Sequence, residues 1–86
     1  MGEERIGRIT HYFGRLQVAV IEIEAGTLSV GDTIHVKGHT SDFKQTVDSM
    51  QVEHEQVKKA SKGQSVGLKV AERTRNHDDV YKVVPD

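Results

Sequence analysis

Every second residue is apolar in three separate stretches of this chain: Ala19, Ile21 and Ile23; Ile34 and Val36; Val66, Leu68 and Val70. A period of two lines such residues along one face of an extended strand, whereas a helix would scatter them around its axis. Most are β-branched, a shape that suits a pleated, half-buried surface better than a helix. Turn signals separate the stretches at short intervals, at Gly14-Arg15, Gly26, Gly31-Asp32, residues 38–42 and Lys62-Gly63-Gln64. With 86 residues the chain has room for one domain, residues 1–86, with a core that is just sufficient.

The pattern predicts about six strands and no substantial helix. The first covers residues 5–13. The second covers 16–24 and carries Leu16, Val18 and Val20 on the face opposite Ala19, Ile21 and Ile23. A third covers 33–37. Residues 43–53 read as one longer strand whose apolar phase slips between Val47 and Met50, a slip that a β-bulge near Asp48-Ser49 would repair. In 55–61 the spacing of Val57 and Ala60 suits a short helical turn. The last strands hold Val66 to Val70 and Val80 to Val84, with the single proline, Pro85, following the second. Closure would protect sheet edges that so short a chain has little else to cover. The expected fold is therefore all-β, a small closed antiparallel barrel of six to seven strands.

Composition narrows the chemistry. Twelve basic residues against thirteen acidic ones leave a net charge of -1, which argues against a general nucleic-acid coat and leaves room for a local basic patch. Cysteine is absent, so there is no disulfide framework, thiolate metal site or cysteine nucleophile. Of five histidines, His35 and His39 are four apart, about 13 Å along a strand, too far for one ion unless the chain bends at Gly38. No metal is expected, and the histidines read as solvated or partner-facing. His39-Thr40-Ser41-Asp42 contains the residue types of a nucleophilic triad, but sequence neighbours do not adopt that geometry, so no enzyme is expected. The three side chains after His39 read instead as loop formers bonding to backbone. The N-terminus lacks an apolar signal core and no run could span a bilayer, which points to the cytoplasm and to no membrane.

Two segments carry a family resemblance. "IEAGTLSVGDTIHVKG", through Glu24, Gly26, Leu28, Val30, Gly31, Asp32, Ile34 and Val36, resembles a turn in the second domain of translational GTPases such as elongation factor Tu. "KKASKGQSVGLKV", through Ala60, Gly63, Val66, Gly67 and Leu68, is similar to a second hallmark of that domain. The chain also resembles the small barrel at the C-terminus of collagenase-like peptidase family proteins, relatives of which act in RNA modification. The resemblance implies a barrel of the translation-factor domain 2 type. Its turn residues are Gly26, Gly31, Asp32, Gly63 and Gly67: Gly31 at positive φ, Asp32 bonded to nearby N–H groups, and Gly67 leaving room for a neighbouring strand. No phosphate-binding loop is present, so neither GTP nor any other cofactor is expected. Gly7, Arg8 and Thr10 stand where the family holds an aminoacyl end with acidic and aromatic residues, which removes that role. Arg15 after Gly14 matches the family's Gly-Arg step.

Arg8, His11, Tyr12, Phe13 and Arg15 gather around Gly14, mixing cations with rings as a single-stranded nucleic-acid surface does. The function expected from the sequence is a non-catalytic, translation-factor-like binding module. Its partner would be RNA (tRNA or rRNA) or a translation or RNA-modification protein. The alternative is a protein–protein adaptor that uses the face of Leu16, Val18 and Val20 without nucleic acid.

Overall fold

The computed structural model describes residues 2–84, so Pro85 lies outside the described residues. Ten strands and no helix occur among them: β1 (Gly2–Phe13), β2 (Val18–Ile23), β3 (Thr27–Ser29), β4 (Thr33–Lys37), β5 (Asp42–Thr46), β6 (Met50–Val52), β7 (Glu55–Val57), β8 (Lys59–Ser61), β9 (Ser65–Lys69) and β10 (Asp79–Val84). Eight form one sheet in the order β5-β4-β10-β1-β2-β9-β6-β7, and β3 pairs with β8 in a second. Every pairing is antiparallel. The fold is all-β, but among the described residues no ladder joins β5 to β7. Against the expected six to seven strands of one closed barrel there are ten, in an eight-stranded and a two-stranded sheet.

Of the extra strands, β3 lies just before the Gly31 turn, and the others come from two places where the chain turns instead of running on. Residues 43–53 are two strands, not one bulged strand. Val47 accepts from the Gly31 N–H and donates to the Asp32 carbonyl, both at 2.8 Å, so its backbone serves the turn before β4. The chain then crosses from β5, beside β4, to β6, beside β9. Both apolar phases are buried, Phe43 and Val47 before the break and Met50 after it. Residues 55–61 are also extended, against the helical turn expected there. Glu53 and His54, at φ 52° and 67°, form a two-residue hairpin turn that pairs Val52 with Glu55, and Ala60 faces Leu28 across the small sheet.

The core holds all eight residues that the alternation placed there, each no more than 3% exposed. Ile6, Ile9, Leu28 and Val80 complete its centre. β1 is paired on both sides and carries two register shifts, between Arg5 and Gly7 against β10 and between Ile9 and His11 against β2. The second shift inserts Thr10 as an extra residue and reverses the phase beyond it. Tyr12 consequently packs on the core, while His11 and Phe13 turn outward.

In the turn before β4, Gly31 has φ 96° and Asp32 Oδ2 accepts the Ser29 N–H at 2.8 Å. Gly67 is less constrained than expected, because an added Cβ would meet Val18 Cγ1 at an ordinary 3.6 Å. The tight approaches are at Gly7, where a Cβ would overlap the Glu22 carbonyl, and at Gly38, where it would overlap the Asp78 carboxylate.

Candidate functional site

The first hairpin does not assemble the five side chains that its sequence suggests. Arg8 lies back along β1, its Nε 3.5 Å from Glu24 Oε2. Arg5 holds the same carboxylate at 2.7 Å and Asp79 at 2.9 Å. Tyr12 faces the core. Only His11, Phe13 and Arg15 reach the outer side of the hairpin end, with the His11 and Phe13 rings 4.4 Å apart and tilted by 54°. The cations that would meet phosphates are thus matched by carboxylates, except at Arg15.

What the hairpin does build is apolar. Val18 and Val20 project outward from β2, because their neighbours Ala19 and Ile21 face the core. Phe13 joins them from β1 through the Thr10 bulge, and Leu16 from the turn, 45% and 64% exposed respectively. Gly67 pairs with Val20 on one side and Gln51 on the other, and its missing side chain leaves a floor. Gln51, Glu53 and His54 form the far lip of a groove of about 440 Å³. Phe13 and Leu16 also border a second hollow toward Tyr12 and Arg15, so the two depressions share a ridge. These exposed apolar groups are gathered on one face instead of being scattered singly.

A polar cluster occupies another part of the sheet. His35 Nδ1 lies 2.9 Å from both Glu3 carboxylate oxygens, and its Nε2 lies 2.5 Å from Asp42 Oδ1. With its side chain 12% exposed, His35 is not the solvated or partner-facing residue expected. The hydrogen bond to Asp42, then that to Glu3, raises its pKa above the ordinary value, and the same bonds lower those of both carboxyls. Both ring nitrogens are engaged, so His35 is held as a structural cation. Asp42 comes from the next strand of the same hairpin, but Glu3 arrives from β1, and no local signal announces that second partner. The loop at 38–42 differs in the same sense: Thr40 Oγ1 accepts from Arg75 Nε at 2.8 Å, a bond to a distant side chain rather than to nearby backbone.

The family model for elongation factor Tu domain 2 matches residues 16–77. The chain belongs to the elongation factor Tu domain 2 family. It is 40% identical over 78 residues, 90% of its length, to a collagenase of Porphyromonas gingivalis. It is 39% identical over 77 residues to an uncharacterized protease of Methanocaldococcus jannaschii. The chain spans about a fifth of these relatives, 22% and 19% of their lengths. The crystal structure of the C-terminal domain of a Geobacillus thermoleovorans protein described as a U32 peptidase superposes with a TM-score of 0.87 at 19% identity, covering 94% of this chain and 93% of that one.

These matches correct the functional expectation. The elongation factor Tu domain 2 family model matches, but the relatives that align with nearly the whole chain are named as a collagenase and a protease. The reading as a translation-factor-like, RNA-contacting module is overturned. The engaged Arg5 and Arg8 give the physical reason why the basic hairpin was misleading.

Proposed function

We propose that this chain is a non-catalytic β-domain that accompanies a peptidase domain of the U32 type, contributing a contact surface and cleaving nothing by itself. The 40% identity to the Porphyromonas gingivalis collagenase carries the reading, because it takes in 90% of this chain and only 22% of the relative. That asymmetry is what an accessory domain shared with a larger enzyme produces. Local chemistry supports it: both nitrogens of His35 are engaged by carboxylates, which leaves this histidine no lone pair for a substrate proton. We also read the two sheets as a barrel closed by β3 and β8, with the bond from Gly31 N–H to the Val47 carbonyl tying the turn after β3 to the end of β5, and that from Gly63 N–H to the Ile23 carbonyl tying the turn after β8 to β2.

A replacement experiment tests this function. The matched segment of the Porphyromonas gingivalis collagenase is exchanged for this chain, and collagen hydrolysis is measured for the chimera and for the chain alone. Hydrolysis by the chimera and none by the isolated chain is the expected result. A soluble, folded chimera without activity, or activity in the chain alone, overturns the reading.

A further inference from the structure

We infer that the groove beside the first hairpin seats an apolar segment of the peptidase domain that this β-domain accompanies. The inference rests on the function proposed above and adds the face that makes the contact. Phe13 and Leu16 stand together in water, backed by Val18 and Val20, at an energetic cost that only a covering partner removes. The ion pairs of Arg5, Arg8, His35 and Lys82 do not line this groove. Its complement is therefore apolar at the centre.

The rim adds polarity. Glu53 stands at one lip, and Arg15 lies beyond Leu16 at the other side, so the seated segment is oriented by a cation toward Glu53 and an acidic or carbonyl group toward Arg15. The walls are preformed: a four-residue turn including Gln17 at φ 56° ends one side, and the Glu53-His54 hairpin turn ends the other. A preformed groove binds without first ordering a loop. The occupant follows from the relatives. In the Porphyromonas gingivalis protein roughly four fifths of the polypeptide lies outside the matched segment, and that mass is available to cover this face.

The chimera described above provides the test. A photo-crosslinking benzoylphenylalanine replaces Leu16, or Phe13 as a ring-for-ring alternative, and in a parallel sample it replaces exposed Lys37, which lies three strands away from β2 in the sheet. After illumination, mass spectrometry is expected to find Leu16 or Phe13 joined to an apolar peptide of the peptidase domain, with that product lost at Lys37. Leu16→Asp should abolish the crosslink from Phe13 without changing the melting temperature. Crosslinks from Lys37 alone, in a chimera that still hydrolyses collagen, overturn the groove and leave the proposed function standing. Crosslinks from Leu16 only to a second copy of the chain also overturn it. Absence of crosslinks from any position in an inactive chimera removes both.

Discussion

His35 faces outward from β4 between two carboxylates, so its charge and the stability of the strands around it are linked. In the unfolded chain the imidazole titrates near 6.5 and in the fold it titrates higher, chiefly through the bond to Asp42 and then Glu3. Its contribution is full below about pH 6.5 and is lost as pH rises through the raised value. Glu3 and Asp42 are shifted down from 4.5 and 3.8, so their share is present above those values and lost as pH falls through the lowered ones. The melting temperature should therefore decline as pH climbs from about 6 through the folded His35 value, modestly because the carboxylates face solvent. His35→Gln should abolish that decline; an unchanged profile would show that the cluster does not stabilise the fold. Two glycines separate two kinds of constraint at the same scale. Gly7→Ala forces a methyl into the Glu22 carbonyl, whereas Gly31→Val has open space and suffers only from φ 96°. Thermal unfolding should show a loss of about 1–3 kcal/mol for each. A stable Gly7→Ala variant would mean that the bulged strand can shift to admit the methyl.

Between strands, side chains complete what the ladders leave open. Gln45 on β5 donates from Nε2 to the Lys69 carbonyl at 2.9 Å and accepts the Ala71 N–H at 2.7 Å. One amide thus acts as a short piece of sheet between β5 and the end of β9, which share no backbone ladder. Gln45→Ala removes both bonds and exposes the backbone groups to water, so about 1–2 kcal/mol should be lost in urea titration. Gln45→Glu keeps the acceptor for Ala71 but sets a carboxylate against the Lys69 carbonyl, and it should recover only part of the loss. Equal stability of all three forms would show that the bridge is not maintained in solution. The bulge at Thr10 acts at this scale too, since one additional residue decides which aromatic ring packs on the core and which meets the groove.

Across the whole molecule, the sheet depends on pairing the two ends of the chain. β10 lies between β4 and β1, with Val84 opposite Gly2 and Val80 opposite Val36. Nothing local stabilises these pairings before the ends meet, so loop-closure entropy opposes folding until late. Refolding by stopped flow should take about milliseconds to seconds, slower than a helical bundle of this length. Removing β10 separates β4 and β5 from β1, and the truncated chain should lose its cooperative transition and its resistance to proteolysis. Microsecond folding, or a truncated chain that still melts cooperatively, would contradict this account.

The alternation of β-branched residues determined the all-β class and the core, because a period of two admits one buried face and little else. The glycine turn at Gly31-Asp32 and the second segment at 58–70 likewise carried the family. Strand number and site were decided only in three dimensions. Val47 abandons its strand because Gly31 and Asp32 claim its backbone, and their approach is a tertiary event. Tyr12 and Phe13 exchange faces through a bulge at a residue, Thr10, whose own identity does not demand one. Arg8, which the sequence grouped with the rings around Gly14, is paired with Glu24 in the fold, a partner from beyond the end of β2. Short-range periodicity is written in the chain itself. The partner of a charge and the phase beyond a bulge depend on which remote strand arrives alongside.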